Sequence, residues 1–267
     1  MLIDFHTHAF PDKLAPHALE SLSHAIHLTP ATDGTIGGLI KRMDDDGVNY
    51  SVVCNIATNP KQTVNVNNFA LDILRDHSDR IIPLGSVNPY FDEPEHELDR
   101  LADGGIKGIK IHPDYMHCMI DAPEFDRIFE ICADHGMFIV THAGFDVYST
   151  EKIWCAPDGV LERIRRSPKT KLICAHYGGN TLWNEVEEKL IGKNIYIDTS
   201  LATVYDLPPA QAVRMLTGHD PEKILFGTDC PWCNARETFA YVNSLDISSA
   251  LKEKIFSENA KKLLGMQ

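Results

Sequence analysis

Eight short runs rich in Ile, Val and Leu recur along the chain, at residues 2–5, 51–56, 81–87, 106–111, 137–141, 171–175, 194–198 and 224–227. They are near-continuously apolar, as strands buried on both faces of a parallel sheet must be. After the first, they start about 23 to 35 residues apart, which is room for a strand, a loop, a crossover helix and a second loop. The segments between them have helical periodicity, at 37–47, 64–78, 93–104, 124–136, 158–167, 182–191 and 208–217, and a last such segment spans 248–264. Pro123 stands at a helix entrance, and the glycines at 104, 105 and 136 stand at exits, where a positive φ is needed. Eight strand-helix units in 267 residues predict a (β/α)8 TIM barrel forming one domain, 1–267; an open doubly wound sheet is the alternative.

One interval is too long for a plain connection. Residues 9–36 contain Pro11, Pro16, Pro30, Gly34 and three histidines. Loops after barrel strands line the active face, so this segment is read as an active-site loop and candidate lid, with a solvated surface excursion as the plainer reading.

Charge and cysteine content narrow the setting. Lys and Arg number 25 against 38 Asp and Glu, a net charge of −13, which disfavours nucleic acid as a partner. No apolar run approaches the roughly 20 residues that span a bilayer. Seven cysteines cannot all pair within one chain, and the first residues resemble a strand rather than a secretory signal. These features predict a cytoplasmic protein acting on a small molecule, with no membrane partner.

The remaining outlier is 13 histidines. His6 and His8 lie two apart at the end of the first run, so both imidazoles face one side of a strand. The ends of later runs carry Lys110 and His112, then His142, His176 and Asp229. In a barrel these ends converge on one mouth, where the catalytic groups of such enzymes are found. A lone histidine at a strand end is ordinarily a hydrogen-bonded rim residue. Five of them with an aspartate point to a metal site.

The residues 4–11, Asp-Phe-His-Thr-His-Ala-Phe-Pro, resemble the D-x-H-x-H-x-x-P opening of amidohydrolase-related proteins, the group that includes aminocarboxymuconate semialdehyde decarboxylase-like enzymes. The stretches at 105–113, 141–144, 175–179, 226–232 and 258–265 resemble that family's later motifs in order. The resemblance implies that His6, His8, His142 and Asp229 bind one Zn²⁺, with water or substrate in the open position. It also implies that Asp229 shuttles a proton and that His176 polarises the substrate or ligates a second ion. Lys110 decides the metal count: carboxylated, it would bridge two ions, whereas as an ammonium it would hold a substrate carboxylate or oxyanion. One ion is the favoured count, and His112 is read as a substrate contact. The implied activity is hydrolysis of a C–N or C–O bond in a small polar substrate, with nonoxidative decarboxylation as the alternative. Barrels of this family often form homodimers.

Several features depart from the pattern. Tyr177 interrupts the glycine run after His176 and is expected to fill the pocket floor. No arginine ends a strand; Arg42 and Arg236 read as helix-surface residues, which weakens a muconate-type substrate. TatD-type deoxyribonucleases share the opening His-x-His, but Lys110 replaces their fourth-strand Glu. Cys230-Pro231-Trp232-Cys233 reads as packing over the mouth, with an oxidation-sensitive loop as the sharper idea. Asp44, Asp45 and Asp46 read as a solvated helix end, and His77, His96, His117, His135 and His219 as surface or capping residues.

Overall fold

The structure, a computed structural model, describes residues 1–266. Its strands are β1 (Ile3–Thr7), β2 (Tyr50–Cys54), β3 (Ile81–Leu84), β4 (Gly108–Ile111), β5 (Phe138–Thr141), β6 (Lys171–Cys174), β7 (Tyr196–Asp198) and β8 (Ile224–Leu225). Neighbours pair in parallel within two sheets, β1-β2-β3 and β4 to β8 in order. Backbone hydrogen bonds cross both seams between them. Lys110 N donates to the Gly85 carbonyl at one (2.8 Å), and Phe5 N to the Phe226 carbonyl at the other (2.8 Å). The eight strands thus form the expected TIM barrel.

Alternation along the strands splits the apolar residues into two cores. Ile3, Phe5, Val52, Leu84, Phe138 and Val140 fill the barrel interior. A larger set, including Ile109, Ile111, Ile139 and Ile197, packs outward against the helices. The rings of Phe5 and Phe138 lie 5.5 Å apart. Gly108 gives Phe138 its space, since a Cβ there would stand 2.6 Å from that ring.

The helices are α1 (Ala15–Ile26), α2 (Ile36–Asp46), α3 (Thr63–His77), α4 (Pro94–Asp103), α5 (Pro113–Met116), α6 (Asp126–Asp134), α7 (Pro157–Arg166), α8 (Trp183–Lys189), α9 (Pro209–Gly218), α10 (Ala235–Ser244), α11 (Ser249–Glu253) and α12 (Asn259–Leu264). A π turn joins α11 to α12, so the segment expected at 248–264 is continuous but not uniformly α-helical. Its Ala260 and Leu264 close the floor of the barrel interior. No helix among the described residues is long and apolar enough to cross a membrane.

Three helices lie outside the segments expected from sequence: α1, the one-turn α5 and α10. The 9–36 segment is not a structureless loop, because it contains α1. That helix has no side-chain cap at its start and ends on a left-handed His27 rather than a glycine, so Pro16 in its first turn is its main boundary signal. Helix α10 did carry a signal: Asn234 accepts a hydrogen bond from Glu237 N at 2.9 Å, with the acid in the third helical position.

Candidate metal centre

The mouth of the barrel holds a cavity of about 470 Å³ lined by His6, His8, Lys110, His112, His142, His176 and Asp229, which are all the residues expected there. They reach it by different local means. On β5 and β8, simple alternation from Phe138 and Val140, and from Leu225, carries His142 and Asp229 inward. On β1 the inward Phe5 would send His6 outward, but the register shifts between Asp4 and Thr7, and this bulge turns His6 into the cavity. Past β6, left-handed backbone at His176 (φ 59°) and Tyr177 (φ 56°) returns His176 to the mouth. The same turn sends Tyr177 into the outer core, so the expectation that its phenol fills the pocket floor is corrected. Left-handed backbone recurs at Asp229 (φ 68°), which puts local strain at the site.

His6, His8 and Asp229 form the tightest group. His8 Nε2 is 2.9 Å from Asp229 Oδ1, and His6 Nε2 is 3.4 Å from the same oxygen. The far side of each ring is already committed. His6 Nδ1 donates to Asp198 Oδ2 at 2.8 Å, and His8 Nδ1 to the Cys54 carbonyl at 2.9 Å. Carboxylate and carbonyl oxygens only accept, so each neutral ring keeps its proton on Nδ1 and aims the Nε2 lone pair at Asp229. Two lone pairs facing a carboxylate need a cation among them, and orienting acceptors behind metal-bound histidines are the usual device. The group therefore fits a divalent metal.

Lys110 Nζ approaches His6 Nε2 at 3.0 Å. Burial first, and then the Lys110 charge, hold His6 well below the ordinary histidine pKa. Burial would raise the Asp229 carboxyl, but His6, His8 and Lys110 outweigh it and keep that group below the usual range.

A chain of hydrogen bonds fixes the next two rings. Ser200 Oγ donates to Asp198 Oδ1 and so accepts from His176 Nδ1 at 2.7 Å. This leaves a lone pair on His176 Nε2, which stands 3.0 Å from His142 Nδ1. His142 then donates from Nδ1 and carries its own lone pair on Nε2. Burial lowers the pKa of both rings well below normal, helped at His142 by His176 and at His176 by His6. In this metal-free arrangement His142 Nδ1 faces His176 rather than Asp229, and its Nε2 turns toward His112 and Asp146.

His112 lies flat between Tyr115 and His142, with ring centroids 3.7 and 4.3 Å away. Burial, followed by His142, lowers its pKa well below normal. Burial raises Asp146 to about 6 and, with Asp146 beside it, raises Asp114 to about 7 against a nearby Ser149 hydroxyl. Sequence reasoning missed Asp146, Asp114, Asp198 and Ser200. Asp146 is placed by a close approach at Gly144 (φ +87°), where a Cβ would meet Asn180 N at 2.2 Å.

Other expectations sort plainly. Arg42 and Arg236 lie outside the cavity and face Asp46, whose side chain is buried rather than solvated. His135 ends α6 and pairs with Asp99. His219 is a capping residue, at the end of α9, but it is buried, tying Gly192 N to the Ile195 carbonyl. Trp232 lines the mouth as expected, while Cys230 and Cys233 are buried and free with thiols pushed up by burial, which opposes redox reactivity.

A sequence model of the Amidohydrolase family matches residues 3–266. No curated protein sequence matches the chain significantly. Among solved structures, a TIM-barrel protein from Bordetella bronchiseptica is similar over 99% of this chain and 98% of its own, at 18% identity and a TM-score of 0.77. A 5-carboxyvanillate decarboxylase from Novosphingobium aromaticivorans, solved with bound manganese, is similar over 100% and 97% at 14% identity and a TM-score of 0.75. A 2,6-dihydroxybenzoate decarboxylase from Rhizobium is similar over 99% and 98% at 15% identity and a TM-score of 0.72.

Proposed function

The chain belongs to the amidohydrolase family, and from that premise we propose a metal-dependent enzyme that removes carbon dioxide from a small aromatic or extended unsaturated acid. The observation that carries this reading is the contrast inside the cavity. Its floor gathers Lys110, Asp229 and the imidazoles, while Phe10, Leu22, Ile26, Phe69, Val204 and Trp232 make its walls apolar. Such walls favour a flat apolar body with a polar end over the small polar substrate expected from sequence. The barrel's likeness to two aromatic-acid decarboxylases supports the same reading.

In this reading His6, His8 and Asp229 hold one divalent ion, and the facing nitrogens of His142 and His176 supply the remaining donors, with the His142 proton moved from Nδ1 to Nε2 on the Asp146 side. Two imidazoles and a carboxylate suit zinc, and manganese is the second ion to test. When bound, the metal supplies a Lewis acid that polarises a substrate oxygen. Lys110 holds a substrate oxyanion, and the 9–36 segment serves as lid, its Phe10, Leu22 and Ile26 keeping water from the ring. Loss of carbon dioxide leaves an electron pair on carbon, and Asp229 passes the proton that replaces the carboxyl group.

Hydrolysis of a C–N or C–O bond is the second reading. It is favoured by one observation: no arginine lines the cavity among the described residues, so Lys110 is its single fixed cation. The two are separated by incubating protein loaded with Zn²⁺ or Mn²⁺ with hydroxybenzoates and with small amides and lactones. Carbon dioxide release that disappears in Asp229→Asn is the expected result. Ammonia or acid release alone would replace decarboxylation with hydrolysis, and activity that survives chelation would overturn both.

A further inference from the structure

We propose that the cavity contains a second subsite, an apolar pocket between α1 and α3 that receives an uncharged, alkyl-sized substituent on the ring of the substrate. This rests on the reading of the site as one for an aromatic acid, and it states what that acid carries at the end away from the metal. The first observation is room. A dry apolar cavity of about 150 Å³ accepts a benzene ring. The barrel mouth encloses about 470 Å³, roughly three times that space. A ring takes one such share, and its carboxylate, a ring hydroxyl and the ion take about another, so space on the order of one more ring is left.

The second observation is the lining. Leu14, Leu22, Ile26 and Leu28 of the 9–36 segment and Val66 of α3 all line the cavity, and none belongs to either apolar core. Leu22 and Ile26 are four apart on α1, and Val66 and Phe69 are three apart on α3, so each helix turns one apolar stripe into the cavity. The helices follow β1 and β2, which are adjacent in the barrel, and the two stripes therefore share one side of the mouth. Of the twelve residues of α1 only Ala15 and Leu19 are buried, so its other apolar side chains serve the cavity rather than the core. Leu22, Ile26, Leu28 and Val66 are half-buried. Water against such side chains is unfavourable, and an apolar group seated on them displaces it.

Charge and anchoring agree. Among the described residues, the acids and the lysine that line the cavity are Lys110, Asp146 and Asp229, all in the polar group around the imidazoles. Helices α1 and α3 contribute no charged side chain to the lining, so the substituent is uncharged. Tyr148 Oη donates to the Ser21 carbonyl at 2.9 Å. This bond ties α1 to the loop after β5 at the residue before Leu22, and so holds the stripe across the mouth.

The test is calorimetric binding of benzoate and of its ethyl and butyl derivatives, meta and para, to full-length protein loaded with Zn²⁺. These probes lack a ring hydroxyl and read binding whether or not carbon dioxide is released. Affinity is expected to rise about threefold per added carbon, near a hundredfold from benzoate to the better butyl isomer. In Leu22→Asn and in Val66→Asn, each shown by thermal melt to fold, that ratio should drop to about tenfold or less. Either folded variant suffices if the other does not fold. A wild-type ratio below about tenfold would overturn the subsite, and so would a hundredfold ratio unchanged in the variants, which would mean that the chains bind elsewhere. The expected ratios without carbon dioxide release from butyl-substituted hydroxybenzoates would keep the subsite and remove the decarboxylase reading. Carbon dioxide release from plain hydroxybenzoates with no gain from the alkyl chain would do the reverse, and no binding by any benzoate would overturn both.

Discussion

Two histidine clusters share the barrel mouth, and they differ in how their rings are held. In the first, His6 and His8 sit on β1, and both Nδ1 atoms have acceptors, Asp198 and the Cys54 carbonyl. In the second, His112 begins the short α5 and Asp146 lies in the loop after β5, and two ring nitrogens have no partner. The first is pre-organised by a strand ladder and a finished outer shell; the second depends on loop backbone and an incomplete one. Pre-organised ligands lose less freedom on binding, so the first cluster is the one built for a metal.

The sharpest way to break that contrast is to remove the oxygen that both β1 histidines face. Asp229→Asn is expected to abolish tight metal binding at the first cluster. Activity should fall by more than about a hundredfold, since outer-shell partners alone are worth about 10–100-fold. Full activity and metal content in that variant would put the metal elsewhere. A smaller effect separates shell from ligand: Asp198→Asn should weaken zinc binding about 10–100-fold, through His6 directly and through Ser200 and His176. Ser200→Ala, which touches only the second path, should weaken it less; equal losses would mean that Asp198 does not act through His6.

The smallest effect lies in the second cluster and depends on pH. Burial raises Asp114 from 3.8 to about 7, so between those values the folded chain binds a proton that the unfolded chain releases. Its burial costs no stability below the lower value, and the cost is complete above the upper one. In metal-free protein, Asp114→Asn should therefore raise Tm at about pH 8 by roughly a few degrees and leave it unchanged at about pH 4. A pH-independent change would mean that Asp114 is not the titrating group.

Much of the barrel mouth was legible because barrel geometry gathers strand ends, and a strand end can be read from where an apolar run stops. His6, His8, His142, His176 and Asp229 all follow such runs, and all line the cavity. The route by which two of them arrive was not legible. A bulge turns His6 inward and left-handed backbone turns His176, and neither follows from alternation. The same turn made Tyr177 a core residue rather than a pocket floor. Asp198 was hidden because an acid ending a three-residue strand looks like a cap, and its importance appears only when the barrel brings His6, far away in sequence, against its carboxylate. Asp146 was hidden because its position depends on Gly144 meeting Asn180 across two loops. Helix α1 lacked cap signals, whereas α10 displayed one that periodicity alone passes over.

The central claim is that His6, His8 and Asp229 are drawn together by a metal ion. Anomalous diffraction from crystals grown with Zn²⁺ or Mn²⁺ tests it most directly. The account predicts a strong peak bonded to His6 Nε2, His8 Nε2 and an Asp229 oxygen, with Lys110 displaced from its 3.0 Å contact with His6. No peak at that position at saturating metal, with Lys110 still seated on His6, would contradict it.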